Sequence, residues 1–417
     1  MADHKVIIVG AGVAGLVAAI ELEKQNIAPL IVEGTDRVGG RVKTDSFQGY
    51  QLDHGFQVLL TAYPEAKKYL DYDSLSLKYF NPGALIFQGQ KQIRLSDPLR
   101  QPSQTFNTLF SKAGNFQDKL LIFKLSQRLK KDSLSDIFSR TEMTTRAYLT
   151  SYGFSEQIIT NFFQPFFGGI FLESELNTSS RMFEFVFKMF SQGHAAIPAD
   201  GMEAIPRQLK SQLNSTEFLF NFKVVAVEDK RVELDDGNVL TADAVIIATQ
   251  PDKILKKMKG QFPGYQQVTN LYFEVDQSFI QKPVIGLIPK NGKLINNFTF
   301  MSDTANGYSK NGKALLSVSV NGIHEMSEED LKTKVVAELT EVSGYSADAF
   351  HHLKSFYIKN ALPKINDLHY DMYASETKIF ENIFLAGDYL LNGSLNAAMA
   401  SGRSAALAVN EYLMRQS

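Results

Sequence analysis

The sequence predicts an α/β fold: a Rossmann-like dinucleotide-binding domain joined to a mixed α+β domain that carries an inserted helical lobe. Three observations point there. A strand, glycine turn, helix and second strand open the chain over residues 6–44. A strand, a glycine, an acid and a helix rich in small residues close it over residues 382–406. Between them, residues 98–193 lose the strand pattern and read as largely helical, with a dense run of phenylalanine.

Residues 6–9 (VIIV) form a short apolar run suited to a buried parallel strand. Gly10, Gly12 and Gly15 follow in G-x-G-x-x-G spacing, with Ala11, Val13 and Ala14 between them. Gly10 permits the tight turn, Gly12 lets a pyrophosphate approach the backbone, and Gly15 lets the helix pack closely on the sheet. A helix is predicted over 16–25. Its N-terminus offers free N–H groups and about half a positive charge to phosphates. Residues 30–32 make a second strand that ends at Glu33, where a carboxylate accepts hydrogen bonds from ribose hydroxyls. The whole unit, and not the glycines alone, indicates a dinucleotide site.

The continuation Glu33-Gly34-Thr35-Asp36-Arg37-Val38-Gly39-Gly40-Arg41 resembles the E-x-x-x-R-x-G-G-R motif of FAD-dependent amine oxidases, protoporphyrinogen oxidases and phytoene desaturases. The resemblance implies FAD as the cofactor and a two-dinucleotide-fold flavoprotein. It places Gly34, Arg37, Gly39, Gly40 and Arg41 in the cofactor site, and a planar guanidinium suits phosphate oxygens better than an ammonium does. Residues 51–56 (QLDHGF) resemble the superfamily's D-x-G segment beside the flavin ring. That implies Asp53, His54, Gly55 and Phe56 at the cofactor. No catalytic residue is assigned; His54, Gln57 and Tyr389 are candidates by position.

Residues 63–70 read as a helix, and 85–87 with 92–95 as a hairpin around Gln88-Gly89-Gln90. Inside the helical stretch, 117–131, 141–152 and 155–163 show helical patterning. The lobe gathers Phe162, Phe163, Phe166, Phe167, Phe171, Phe183, Phe185, Phe187 and Phe190. Aromatics at helical spacing usually build a core. The alternative is an apolar substrate tunnel, or a surface that collects lipid-borne substrate. Glu173, Glu175, Arg181, Glu184 and Lys188 interrupt the run, so it does not span a membrane, and peripheral membrane contact stays open.

Residues 197–205 (IPADGMEAI) resemble the P-x-G-G-M turn of desaturases and protoporphyrinogen oxidases, with Asp200 in place of the first glycine, and lead into a helix over 202–213. In the stretch 218–227, Val224 falls where the family places a backbone contact to adenine. Residues 231–240 form a hairpin turned by Asp235-Asp236-Gly237. Residues 243–249 (DAVIIAT) are a buried strand. Strands at 265–278, 283–289, 296–301 and 314–320 suggest an antiparallel sheet. A helix over 327–344 takes Ser327 as N-cap with Glu328 and Glu329 in its first turn. A strand over 353–358 leads to Asn360-Ala361-Leu362-Pro363, which resembles the A-L-P element ahead of the last flavin motif.

That last motif is Ala386-Gly387-Asp388, followed by the small-residue helix. By resemblance Gly387 and Asp388 face the ribitol or pyrophosphate, and Asn396, Ala397, Ala398 and Met399 bring a helix N-terminus to the flavin. A helix N-terminus stabilises the negative charge of reduced flavin. The expected division is 1–80, 195–262 and 360–417 for the FAD-binding domain, and 81–194 with 263–359 for the substrate domain.

Composition narrows the rest. The 417 residues carry a net charge of −2 and no dense basic run, which excludes a nucleic-acid partner. The absence of cysteine excludes disulfides, thiolate metal sites and a covalent cysteinyl-flavin, and fits a cytoplasmic setting. No His, Asp and Glu cluster has ligand spacing, so no metal is expected. Residues 1–5 run straight into the first strand and leave no room for a signal peptide. The oligomeric state is not encoded in any motif.

The resemblance implies an FAD-dependent oxidoreductase that takes a hydride from, or gives one to, its substrate. Asp388 stands where amine oxidases usually carry glutamate, and no tryptophan is available for an aromatic cage. With the A-L-P element and the Phe-rich lobe, this leans toward the desaturase–protoporphyrinogen oxidase side and an apolar, isoprenoid or polyene substrate. A single G-x-G-x-x-G leaves oxygen or a quinone as the electron acceptor. The alternatives are a flavin amine oxidase producing hydrogen peroxide, a redox-neutral flavin isomerase, and a non-catalytic lipid-binding protein of the Rab GDP-dissociation-inhibitor type. Intact Gly10, Gly12, Gly15, Glu33 and Arg41 argue against the last.

Overall fold

The computed structural model describes residues 3–95, 114–289 and 292–416. Two seven-stranded sheets organise them. In the first, β1 (Asp3–Val9) lies between β2 (Leu30–Glu33) and β13 (Val239–Ile247), parallel to both. β10 (Glu217–Phe220) extends the sheet beside β2, and β19 (Ile383–Leu385) pairs in parallel with the end of β13. β11 (Val224–Glu228) and β12 (Arg231–Leu234) add an antiparallel edge. Val6, Ile7 and Ile8 are wholly buried, as continuous apolar strands covered on both faces must be.

Helices α1 (Val13–Glu23) and α10 (Leu395–Gln416) pack together on this sheet. A Cβ on Gly15 would stand 2.1 Å from the Gly10 carbonyl oxygen, and one on Gly402 would stand 2.3 Å from that of Ala14. Both contacts require glycine, so the two ends of the chain are bound by small-residue packing. Helix α1 begins three residues before the predicted 16–25 because the glycine turn itself forms its first turn, with Gly12 as N-cap. The stretch 218–227 is not one strand. It breaks at Asn221, where φ is 64°, and its halves β10 and β11 go to opposite edges of the sheet.

The second sheet runs β18-β14-β17-β16-β15-β7-β8. Its strands are β7 (Ala84–Gln88), β8 (Lys91–Leu95), β14 (Tyr265–Val275), β15 (Ile285–Leu287), β16 (Ile295–Phe300), β17 (Ala314–Asn321) and β18 (His351–Pro363). The expected hairpin over 85–95 is present as β7–β8. The four strands expected to form an antiparallel sheet do so, β14 with β17, β17 with β16 and β16 with β15, while β7 joins them parallel to β15. β7 and β15 come from distant parts of the chain, so no tight turn dictates their relative direction. β18 is longer than the predicted 353–358 because it pairs along most of β14, and it takes in the A-L-P element. Helix α9 (Glu328–Ser343) caps this sheet, with the Ser327 hydroxyl accepting from the Asp330 N–H as expected.

Smaller elements link the sheets. β3 (Thr44–Phe47) and β4 (Tyr50–Asp53) form a hairpin, and β5 (Leu59–Leu60), β9 (Ala195–Ile197) and β6 (Lys78–Tyr79) form a short ribbon. Helices α2 (Pro64–Tyr69) and α8 (Ala204–Ser211) flank them. Helix α8 is shorter than the predicted 202–213, since Glu203 turns its carboxylate to the Thr44 N–H and Arg37.

The lobe contains α3 (Phe116–Lys131), α4 (Leu134–Phe138), α5 (Thr145–Tyr152), α6 (Gln164–Phe171) and α7 (Ser180–Gln192), with a π-turn over Ile159–Phe163 leading into α6. The part of the predicted helical stretch at 98–113 lies outside the described residues. Phe163, Phe167, Phe171, Phe183 and Phe185 are buried against one another, the core role expected of such spacing. Glu184 is buried among them and is neutralised by Arg128 and Arg140, with the Tyr148 hydroxyl donating at 2.6 Å. Among the described residues no helix is long and apolar enough to cross a membrane.

Candidate cofactor and substrate site

A cavity of about 1280 Å³ runs between the two sheets and under the lobe. Pockets for single small ligands measure ~300–1,000 Å³, so this one has room for a large cofactor and a substrate together.

One end is built from backbone. Gly10, Gly12, Val13, Ala14, Gly39 and Gly40 line it. Gly10 has φ +106°, which turns the chain out of β1 as a residue with a Cβ rarely can. The two glycine runs lie against each other: Gly12 and Gly39 form a parallel bridge, and the Gly39 N–H donates to the Ala11 carbonyl at 2.9 Å. The N-terminus of α1 has no side-chain cap, which leaves its first N–H groups facing the cavity. Glu33 lines the wall at the end of β2 and accepts from the Ala11 N–H at 2.8 Å and from the Thr35 N–H and hydroxyl. The carboxylate therefore braces the glycine turn, and its remaining lone pairs can take ribose hydroxyls.

The far ends of the chain meet here. Asp388 is buried on the wall beside Gly387 and ion-pairs with Arg41, whose Nη1 also donates to the Ala361 carbonyl at 3.3 Å. Burial alone would lower the Arg41 pKa; the adjacent Asp388 outweighs it and the guanidinium stays charged. The guanidinium carbon sits 5.8 Å from the Tyr265 ring centre. Tyr389 is half-buried on the same wall, and its buried hydroxyl has no partner. Burial first, then Tyr265 and Asp388, push its pKa well above the usual value, so it is a hydrogen-bond donor and not a base. An uncapped helix N-terminus, a braced carboxylate and an orphaned buried hydroxyl around one glycine-lined space fit FAD.

Midway, His54, Gly55, Phe56 and Gln57 line the cavity. A Cβ on Gly55 would stand 2.9 Å from Ile358 Cδ1, so β18 passes close over this turn. His54 Nε2 lies 3.1 Å from Asp45 Oδ1, and its ring lies 4.6 Å from Phe356. Burial would raise the Asp45 pKa, but hydrogen bonds from Lys354 and Arg37, with His54 close by, hold it well below the carboxylate range. Gln57 donates to the Arg41 carbonyl at 3.1 Å, which ties this turn to the phosphate end.

Other residues singled out in the sequence hold the site without lining the cavity. Gly15 packs under Gly10, and Gly34 packs against Lys223. Arg37 pairs with Asp45 and Glu203, 2.7 and 3.1 Å away. Asp53 is fully buried and accepts from the Thr44 hydroxyl (2.5 Å), the Tyr308 hydroxyl (2.7 Å) and the Met202 N–H (3.0 Å). Burial, only partly offset by these bonds, pushes its pKa up to about 6. The Asn396 amide accepts from the Glu65 N–H, and Ala397, Met399 and the Val224 side chain are in the core. Of Asn396, Ala397, Ala398 and Met399, only Ala398 lines the cavity, beside Leu395 at the start of α10.

The other end is made of side chains: Phe166, Ile170, Met182, Val186 and Phe190 from the lobe, and Ile285, Leu287, Asn297 and Ser319 from the second sheet. The phenylalanine run thus divides, with some rings in the core and others on the wall. Tyr265, Asn297 and Phe356 were not legible as site residues. Each is one position on a strand, and strand alternation gives a face but not what that face meets.

Such a fold and site define a dinucleotide-dependent oxidoreductase. The chain belongs to the flavin-containing amine oxidoreductase family, whose model matches residues 13–410, and its cofactor is FAD. It is similar to protoporphyrinogen oxidase 2 (chloroplastic/mitochondrial) of Arabidopsis thaliana, 23% identical over 510 aligned positions that cover 99% of this chain and 96% of that protein. Two solved structures share the fold. An oxidoreductase from Methanosarcina mazei is 17% identical with a TM-score of 0.71, covering 98% of this chain and 100% of that one. Cyclohexylamine oxidase from Brevibacterium oxydans is 16% identical with a TM-score of 0.66, covering 99% and 100%.

Proposed function

We propose that this FAD-dependent oxidoreductase acts on an apolar substrate of isoprenoid or polyene type, with oxygen or a quinone as acceptor. The observation that carries this is the apolar chamber at the lobe end, walled by Phe166, Ile170, Met182, Val186, Phe190, Ile285 and Leu287. Bound FAD supplies two-electron hydride chemistry. Gly10, Gly12, Gly39 and Gly40 hold its phosphates by backbone, the α1 N-terminus and Arg41 supply positive charge, and Glu33 takes the ribose. The unpartnered Tyr389 hydroxyl would donate a hydrogen bond to the bound cofactor. His54 lines the middle stretch of the cavity, with Nε2 3.1 Å from Asp45 Oδ1. In this reading residues 1–80, 195–262 and 360–417 bind FAD, and the remainder holds the substrate. The pairing of β7 and β8 into the second sheet supports that division.

The similarity to the Arabidopsis protein supports an apolar substrate, and the fold shared with cyclohexylamine oxidase keeps amine oxidation as the competing reading. Anaerobic mixing of the FAD-loaded protein with carotenoids, porphyrinogens and amines separates them. Bleaching of the flavin absorbance by a carotenoid or porphyrinogen is expected. Bleaching by amines alone, with hydrogen peroxide released on admitting air, would overturn the proposal.

A further inference from the structure

We propose that the Asn297 amide is the polar anchor of the chamber, and that the substrate is an apolar molecule bearing one uncharged hydrogen-bonding group, such as a hydroxyl or carbonyl. A bare hydrocarbon and an ammonium ion both fit less well. The inference rests on the apolar-substrate reading and narrows it.

Asn297 lies on β16, is 6% exposed, and lines the cavity. Its Oδ1 is buried without a hydrogen-bond partner. Leaving a buried amide oxygen unpaired costs stability, and folded proteins tolerate few such groups. Its neighbours spend their amide nitrogens on structure, although Asn321 Oδ1, like Asn297 Oδ1, has no partner. Asn296 Nδ2 donates to the Pro165 carbonyl, and Asn321 Nδ2 to the Gly168 carbonyl, each at 3.0 Å, which fastens α6 to the sheet. Asn297 is not used in this way.

Its aim is built into the sheet. The β16–β17 register slips between Ile295, opposite Val320, and Asn297, opposite Ser319. Such a bulge turns consecutive side chains toward one face. A Cβ on Gly169 would accordingly stand 2.6 Å from Nδ2 of both Asn296 and Asn297. Glycine at 169 keeps the space in front of the amide open.

The surroundings set the charge of what fits. Near Asn297 the walls are Phe166, Ile170, Ile285 and Leu287. Of the carboxylates on the cavity wall, Asp388 is paired with Arg41, while Glu33 and Glu173 accept from neutral groups, Glu33 from Ala11 and Thr35 and Glu173 from the N–H groups of Glu175 and Thr178. Glu142 is on the exposed rim. Among the described residues no carboxylate is hydrogen-bonded to the Asn297 amide, so an ammonium ion held there gains no paired counter-charge, and burying it is costly. A hydroxyl or carbonyl pairs with one end of an amide, which offers both a donor and an acceptor.

The test uses FAD-loaded protein and three probes with the same chain: phytene, phytol and phytylamine. Binding is read from perturbation of the flavin spectrum, in wild type and in the Asn297→Leu and Asn297→Ala variants. Phytol is expected to bind roughly tenfold more tightly than phytene in wild type, the worth of one neutral hydrogen bond, and both variants should erase that preference while keeping full flavin content. Asn297→Leu should also raise the melting temperature of the ligand-free protein by about 2 °C, because an unpaired buried amide is removed. A structural asparagine would lower it. A phytol preference that survives in both variants, or a lowered melting temperature in Asn297→Leu, overturns the proposal. So does phytene or phytylamine binding wild type as tightly as phytol, although the apolar reading then stands. If none of the three binds, the apolar reading falls as well.

Discussion

The two ends of the cavity recognise by different means. At the glycine end the wall is backbone: Gly12 and Gly40 nearly touch, and the groups on offer are N–H donors at a helix start and one braced carboxylate. At the lobe end the wall is side chains, contributed by α6, α7, β15, β16 and β17. Backbone recognition depends on the absence of a Cβ at fixed positions, so one atom in the wrong place blocks it. A side-chain wall depends on summed volume and polarity, and it tolerates exchange of one apolar residue for another. The first arrangement can be kept while the second is altered, so related chains can share a cofactor and differ in substrate.

Gly12→Asp gives the sharpest break in that contrast. A Cβ at Gly12 has room, its nearest neighbour being the Gly40 Cα at 4.0 Å, so the fold should survive. The carboxylate would occupy phosphate space and oppose its charge. The variant should purify colourless and folded, with FAD affinity lowered by roughly a hundredfold or more, since like-charge opposition in a site of this kind is worth several kcal/mol. A yellow variant would mean that the phosphates are elsewhere.

The contrast also divides the lobe. Phe183 is fully buried, with its ring centre 4.6 Å from that of Phe167, and Phe183→Ala should cost about 3–5 kcal/mol in denaturant unfolding. Phe166 is on the cavity wall, partly exposed, so Phe166→Ala should cost only about 1–2 kcal/mol but should change which chain lengths of substrate bind. Equal stability losses in the two variants would place Phe166 in the core and remove it from the chamber.

The same difference decides what could be read from the sequence. The β1–α1–β2 unit, the β7–β8 hairpin and the Ser327-capped helix were legible because their signals are local: glycines at fixed offsets, a tight turn, a capping residue. The split of 218–227 at Asn221 leaves no local signal, because β10 and β11 answer to different neighbouring strands. The phenylalanine run could be seen but not divided, since periodicity marks a buried face without telling a core from a cavity wall. Asn297 left no local trace, because its direction comes from a bulge set by pairing with β17. At Asp53 and Asn396 the motifs were visible, but the side chains support the backbone beneath the cavity and do not face into it.

Asp53 tests that last distinction. Its carboxyl titrates near pH 6 in the folded protein, against about 3.9 for an aspartate in an unfolded chain. The folded state thus holds the proton more tightly than the unfolded state does. The stability this contributes is fully present below about pH 4 and is lost as pH rises through about 6, a difference of about 3 kcal/mol across that window. A carboxamide in its place would not titrate, and the amide oxygen could still accept from the Met202 N–H and the Thr44 hydroxyl that Asp53 engages. Asp53→Asn should therefore gain on wild type steadily from pH 4 to pH 7 in denaturant unfolding, while flavin content and spectrum stay unchanged. If the two stability profiles run parallel and the variant instead loses flavin, Asp53 belongs to the cofactor surface and the boundary between the lining and its support must be redrawn there.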